Sequence, residues 1–312
     1  NKGSMHVGQI IAFTNYMTQI LFSLMMVTNV FTMFVRARAS SERISEVFCE
    51  KNSMVNGKKI IDNFKDRGKV DFKHVYFSYN KDKEPILKDI SFSCRPGETV
   101  GIIGSTGSGK STLVNLIPRF YDVISGEIKV NGVNIKELDI KSLREKIAVV
   151  PQKALLFSGT ILDNMKWGSE KASIDEIKEA LEVAQASDFI NKLPEGYNEK
   201  IGQGGVNFSG GQKQRISIAR ALVKGAEILI LDDATSAVDT DTEVKIRNSL
   251  KKYSKGLTCI LIAHRITSVM SADKIIVIDN GEIKAIGSHS ELLKNCEIYN
   301  DIFLSQIGKE MM

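Results

Sequence analysis

Hydrophobic and polar positions divide the chain into a membrane-like front, a polar middle and a long mixed body. From Gly8 to Val35 no residue is charged. As a helix this stretch would reach about 42 Å, more than the roughly 30 Å hydrocarbon core of a bilayer. Phe13, Met17, Ile20, Leu24, Val27, Phe31 and Phe34 recur at steps of four and three, which gathers them on one face. Asn15, Thr18, Gln19, Ser23 and Asn29 gather on the other. One transmembrane helix is predicted. Its polar face has two readings: contact with neighbouring membrane helices, where amides and hydroxyls need partners, or the lining of a solute path. Helical periodicity continues through "RARASSERISEVFCEKNSM", so the helix and its extension are placed at residues 1–51.

The polar run from Asn52 to Gly68 predicts a linker at residues 52–68, and a soluble domain is expected over 69–312. Arg36, Arg38 and Arg43 follow the apolar stretch, against only Lys2 and His6 on the other flank. The positive-inside bias therefore places everything after residue 35 in the cytoplasm. In the body, "KVDFKHVYFSY" and "ILKDISFSC" alternate like antiparallel strands. Later strands are almost wholly apolar and alternate with helical patterns. The predicted class is α/β, a largely parallel sheet with an antiparallel β-subdomain and a helical subdomain at about 153–222.

"TVGIIGSTGSGKSTLVNLI" reads as an apolar strand, a glycine-rich turn and an amphipathic helix, the context a phosphate-binding P-loop requires. Gly104, Gly107 and Gly109 let backbone N–H groups turn inward, and Lys110 supplies charge for the outer phosphates. Ser105, Thr106, Ser108 and Thr112 complete the expected ATP-binding loop, and Ser111 offers a hydroxyl to Mg²⁺. The strand "EILILDD" ends in Asp232 on the same sheet edge, where it can hold the metal directly or through water. Asp233 follows it.

Between these segments lies "NFSGGQKQRISIARAL". Phe208, Ser209, Gly210, Gly211 and Gln212 closely resemble the LSGGQ signature of the ATP-binding cassette (ABC) ATPases. The resemblance implies that two cassettes pair head to tail and that this signature completes the partner's ATP site. It also implies that Tyr79 stacks on adenine and that Gln152, in "VVPQKALLF", senses Mg²⁺ and the γ-phosphate. Ser236, Ala237, Val238 and Asp239 match the D-loop at the dimer interface, and His264, in "LIAHRITSV", matches the switch histidine. The front helix resembles the last transmembrane helix of an exporter-type half-transporter, so the chain is expected to be a piece of a longer protein. The implied setting is an integral membrane protein of a bacterial plasma membrane, with the cassette in the cytoplasm.

In the family the residue after the metal-linked Asp is normally a Glu that polarises the attacking water. Asp233 is one methylene shorter, which withdraws the carboxylate by about 1.5 Å. A displacement near 1 Å can cost on the order of a hundredfold in rate. The resemblance extends to the degenerate-site subunit of heterodimeric exporters. A homodimer with slow hydrolysis and a non-hydrolytic regulatory subunit are the alternatives. The loop "KIGQGGV" departs from the family pattern, with Gln203 where Glu is usual.

Composition narrows the remaining choices. A net charge of +5, with 25% charged residues spread along 312 positions, forms no basic run with interleaved aromatics, so nucleic acid is not an expected partner. Lys153 to Leu222 also leaves no room for the long coiled coil of a DNA-repair cassette. Cys49, Cys94, Cys259 and Cys296 lie far apart with no metal-ligand spacing and read as reduced thiols, most of them in core strands. Ser173/Glu176 and Ser288/Glu291 form capping boxes that mark helix starts. The transported solute is not legible.

Overall fold

The computed structural model describes residues 6–50, 54–60, 66–80, 83–253 and 256–308. Lys2 and residues 52, 53 and 61–65 of the expected linker lie outside the described residues. The chain divides into two compact units, Asn1–Val55 and Asn56–Met312.

The first unit is helix α1 (Val7–Cys49), with none of its residues buried. By length and composition it can cross a membrane. Thr18 and Ser23 donate their hydroxyls to the carbonyls of Thr14 and Gln19, one turn back, each at 2.9 Å. Those hydroxyls of the expected polar face are thus satisfied within the helix, and Asn15, Gln19 and Asn29 carry the rest of its polarity.

In the second unit, residues 56–59 of the segment read as linker are fastened. Asn56 donates to the Asp139 carboxylate at 2.7 Å and accepts from the Ile140 N–H at 2.8 Å. Lys59 exchanges backbone bonds with Glu137 and Asp139 at 3.0 and 2.8 Å. An antiparallel sheet follows, built from β1 (Val70–Phe77), β2 (Leu87–Cys94), β4 (Ser125–Val130) and β5 (Val133–Asn134), in the order β2-β1-β4-β5. Alternation buries Val70 and Phe72, then skips to Val75 and Phe77. The skip is a bulge at His74, whose φ of +48° shifts the register against β2. Phe72 stacks on its cross-strand partner Phe92 with centroids 4.6 Å apart.

The central sheet runs β12-β11-β3-β10-β9-β6. Its members are β3 (Thr99–Gly104), β6 (Ile147–Val150), β9 (Ile228–Asp232), β10 (Thr258–Ile262), β11 (Lys274–Asp279) and β12 (Glu282–Gly287). All neighbours are parallel except β11 and β12. The interiors of β3, β6, β9, β10 and β11 are apolar because both faces are covered, whereas the edge strand β12 carries Glu282 and Lys284 and is partly exposed. Ile228 and Ile230 face the core shared with the antiparallel sheet, whereas Leu229 and Leu231 face the core shared with the helices. Cys94 and Cys259 lie in β2 and β10, where burial pushes both thiols up to about 12. Cys49 ends α1 and Cys296 lies between two C-terminal helices, so two of the four thiols are in strands.

Helices α2 (Lys110–Leu116), α3 (Ile140–Glu145), α8 (Thr240–Tyr253) and α9 (Ile266–Val269) connect or follow these strands. The helical segment carries α4 (Ile161–Lys166), α5 (Ile174–Val183), α6 (Ser187–Ile190) and α7 (Gly210–Val223), with a small β7 (Gly159–Thr160)/β8 (Lys200–Ile201) pair. α10 (His289–Asn295) and α11 (Glu297–Ile307) end the described chain. The capping boxes at Ser173/Glu176 and Ser288/Glu291 open α5 and α10. Because β3, β6, β9 and β10 run parallel, the segments that leave their carboxyl ends meet at one edge.

Candidate nucleotide site

The loop after β3 is shaped by three glycines for different reasons. A Cβ on Gly104 would strike the Ile278 carbonyl of β11, so this glycine serves close strand packing. Gly107 has φ +82° and open space around it. Gly109, at φ +98°, is the N-cap of α2, and a Cβ there would come within 2.7 Å of Leu87. No side chain caps α2, which leaves its first N–H groups to a ligand. Ser105 anchors the loop, donating to Asp279 at 3.0 Å. The Lys110 ammonium rests on the Gly104 and Ser105 carbonyls at 3.0 and 2.7 Å. Tyr79 stands beside the loop, half exposed. Its hydroxyl lies 3.1 Å from Thr112 Oγ1, and its ring is edge-on to Phe77 and Tyr121.

Ser111 donates to Asp232 Oδ1 at 3.0 Å, which joins the P-loop helix to the end of β9. Asp233 turns the chain out of that strand with φ +49°, a region Asp tolerates better than most residues. Its N–H still bonds to the Ile262 carbonyl at 3.0 Å. Its carboxylate accepts from Gln152 Nε2 at 3.3 Å. Burial pushes the Lys110 ammonium below its ordinary value, against the pull of Asp232 and Asp233. Burial likewise pushes Asp232 above the usual carboxylate range; the Ser111 hydrogen bond opposes this and the charge of Asp233 adds to it. His264 is exposed just beyond β10 and lies close enough for its charge to lower Asp232.

These residues fit a Mg²⁺-bound nucleotide triphosphate on three observations. Ser108 Oγ is buried without a hydrogen-bond partner, an orphan inside the phosphate loop. Ser111 Oγ and Asp232 Oδ1 are 3.0 Å apart. That equals the separation of adjacent oxygens around an octahedral Mg²⁺, about 3 Å for bonds near 2.1 Å. Among the described residues no group of three His, Cys, Asp or Glu gathers to cage an ion. Two hard oxygens suit a cation that takes its other ligands from phosphates and water.

The signature lies elsewhere. Phe208 is buried edge-on to Phe189, and Ser209 caps α7. Ser209 Oγ accepts from the Gln212 N–H at 3.3 Å, and Gln212 Oε1 accepts from the Ser209 N–H at 2.9 Å. A Cβ on Gly211 would come within 2.8 Å of the Ala237 carbonyl, so the D-loop of the same chain requires this glycine. Ser209, Gly210, Gly211 and Arg215 share one cleft with Ala237, Val238 and Asp239, and no P-loop residue lines it. Ser236 is exposed at the start of that loop. The structure therefore brings the predicted residues together as two groups: Gly104 to Thr112 with Tyr79, Gln152, Asp232, Asp233 and His264, and the signature with the D-loop.

Sequence reasoning missed Gln214, which holds the D-loop from beneath. Its Oε1 accepts from the Ala237 N–H at 2.9 Å and its Nε2 donates to Ser236 Oγ at 3.2 Å. The available signal was a polar residue one turn before Ile218 on the buried side of α7.

Comparison with known proteins agrees with this geometry. Residues 87–236 match the family described as ABC transporter. YfiB of Bacillus subtilis, an uncharacterised ABC transporter ATP-binding protein, is 45% identical over 309 residues, 99% of this chain and 53% of that protein. The B. subtilis protein named "Putative multidrug export ATP-binding/permease protein YgaD" is 42% identical over 98% of this chain and 53% of its own length. The chain thus spans about half the length of the curated relatives it matches. A solved structure, described as a bacterial Atm1-family ABC exporter with ATP bound, superposes with a TM-score of 0.83 at 34% identity. It covers 98% of this chain and 53% of the other. With a P-loop, a paired Ser111–Asp232, a separate capped signature helix and these relatives, the chain belongs to the ABC transporter family.

Proposed function

We propose that this chain is the ATP-hydrolysing cassette and last membrane helix of an exporter, in a bacterial plasma membrane with the cassette in the cytoplasm. One observation carries the reading: the phosphate loop and the signature cleft share no residue. Each is half of a site, and a second cassette, head to tail, supplies both missing halves. Binding of two ATPs closes the pair, and hydrolysis reopens it, which switches α1 and its companion helices between inward- and outward-facing states.

In its own site Lys110 and the P-loop N–H groups hold the phosphates, and Tyr79 offers its exposed ring to adenine. Ser111 and Asp232 hold Mg²⁺, with Gln152 beside them, and the ion when bound neutralises charge on the transferred phosphoryl group. Gln152 and Asp233 flank the place for the attacking water, and His264 faces the γ-phosphate. Asp233 is short for a general base, which must lie within hydrogen-bond reach of the proton it takes. Its carboxylate is also engaged by Gln152 at 3.3 Å. Hydrolysis here is therefore slow, and the intact Ser209–Gln212 signature serves a faster site on a partner that has the longer Glu. A heterodimer follows from this. The same intact signature favours one rival: two copies of this chain would form two equal, slow sites.

Steady-state ATP hydrolysis by the full-length protein in lipid separates the two, with wild type measured beside Asp233→Glu and Asp233→Ala. The expected result is a nearly silent wild type that Glu restores. Turnover by wild type alone, lost only in Asp233→Ala, would make Asp233 a working base and the chain a homodimeric pump.

A further inference from the structure

The chain leaves β10 through His264 and Arg265, and α9 begins at Ile266. Arg265 occupies the N-cap with extended backbone, φ −91° and ψ 128°, and offers no side-chain cap. A helix opened in this way leaves its first N–H groups without partners. Gln306, on α11, fills the gap. Its Oε1 accepts from the Ile266 N–H at 2.7 Å, and its Nε2 donates to the His264 carbonyl at 2.9 Å. One carboxamide thus bonds the backbone on both sides of Arg265, using a donor and an acceptor at once.

The helix that carries Gln306 is itself fixed. Tyr299 is fully buried, with its hydroxyl 2.7 Å from His289 Nδ1, and Ile302, Phe303 and Ile307 pack against the helix-side core. Between the two bonds, Arg265 reaches toward the Ser236 carbonyl of the D-loop at 3.5 Å and toward the buried Glu243 at 3.9 Å. The switch loop is therefore fastened to the C-terminal helix on one side and aimed at the D-loop on the other.

We propose that Gln306 is a positioning residue for the switch histidine: by pinning the His264 carbonyl and the Ile266 N–H it fixes the backbone from which the His264 imidazole meets the γ-phosphate. The proposal rests on the role given to His264 above. The Gln306 carboxamide bonds backbone on either side of Arg265 rather than the phosphate loop, so it acts on turnover and leaves ATP affinity alone. A backbone freed to shift by about 1 Å costs on the order of ten- to a hundredfold in rate. The C-terminal helix then becomes a lever on hydrolysis, because anything that draws α11 away releases the switch.

Two substitutions separate this from simple support of α11. Gln306→Glu keeps an acceptor for the Ile266 N–H but sets a carboxylate oxygen against the His264 carbonyl; Gln306→Leu removes both bonds. Each would be made in the full-length protein in lipid, on the Asp233→Glu background so that turnover is measurable. The readouts are kcat and KM for Mg-ATP, and hydrogen exchange of peptides covering 259–270 and 297–308. The expected result is a kcat about tenfold lower, KM within about twofold, faster exchange at 264–268 and unchanged protection of α11. Unchanged kcat overturns the proposal. So does loss of α11 protection in step with kcat, which would make Gln306 a support only. If Asp233→Glu does not turn over, the slow-site reading has failed, and exchange alone decides the clamp. Faster exchange at 264–268 with α11 intact upholds it, and unaltered exchange there overturns it.

Discussion

Two helices in this molecule open at glycines and are assigned to phosphate in the proposed function, yet their N-termini are in different conditions. α2 opens from Gly109 with no side-chain cap and with Lys110 folded onto nearby carbonyls. α7 opens from Ser209, closed on itself by the Ser209–Gln212 box and pressed against the D-loop through Gly211. The first is a receptor within one chain. The second is partly closed, with the Ser209 and Gln212 N–H groups already partnered, so whatever meets that corner must compete with those two bonds. On the proposed function, the contrast means that the P-loop binds alone, whereas the signature becomes a site only when another cassette presents nucleotide to it.

The largest expected effect tests the receptor. Lys110→Ala should weaken ATP binding by about a hundredfold or more, since a buried ammonium at the outer phosphates has no replacement. Binding of a fluorescent ATP analogue measures it, and affinity within about threefold of wild type would show that the loop N–H groups suffice. Next comes the partly closed end. Gly211→Ala puts a Cβ 2.8 Å from the Ala237 carbonyl and must displace the D-loop. Binding at Lys110 should stay within about twofold, while hydrolysis by the assembled transporter falls about tenfold or more. Equal loss of both would mean that the two ends are not independent.

A third test uses the electrostatics of the receptor end. Burial raises Asp232 above its ordinary value. The native state therefore binds its proton more tightly than the unfolded chain, and stability falls as pH rises from about 4 through that raised value. Above it the cost of a buried carboxylate is carried in full. Asp232→Asn should remove this cost, so the nucleotide-free protein melts higher than wild type at pH 7 and the difference narrows toward pH 4. Mg-ATP should no longer raise the melting temperature of the variant. A variant that melts lower than wild type at pH 7 would mean that the Ser111 bond outweighs burial.

The same contrast explains what was legible beforehand. The P-loop glycines, the capping boxes and the antiparallel alternation are local, and spacing alone reveals them, while the signature glycines were read through their resemblance to LSGGQ. The bulge at His74 was not read beforehand, although the chain skips a step between Phe72 and Val75. Gln214 and Gln306 were not found, because their amides bond backbone that is 23 and 40 residues away and only the folded sheet brings the partners together. Asn56 and Lys59 escaped for a related reason: polar residues in a short stretch look alike whether water or a neighbouring backbone satisfies them. The glycine of the signature was legible as a glycine, while its immediate cause, the Ala237 carbonyl, was not.

The smallest expected effect sharpens the comparison most, because it asks what closes the signature helix. Gln212 occupies the third position of α7 and holds the Ser209 N–H at 2.9 Å. If that is its employment in the free chain, Gln212→Ala costs about 1 kcal/mol, the usual value of a lost cap, and lowers the melting temperature of the cassette by about 2 to 4 °C. Hydrolysis by the assembled transporter should change by less than about threefold, since Ser209 and the glycines remain. The opposite pattern, an unmoved melting temperature with a tenfold loss of turnover, would mean that the side chain leaves the box on assembly and reaches the partner's nucleotide. The signature would then be a second receptor that keeps itself shut until needed, and the difference between the two helix ends would be one of timing rather than of kind.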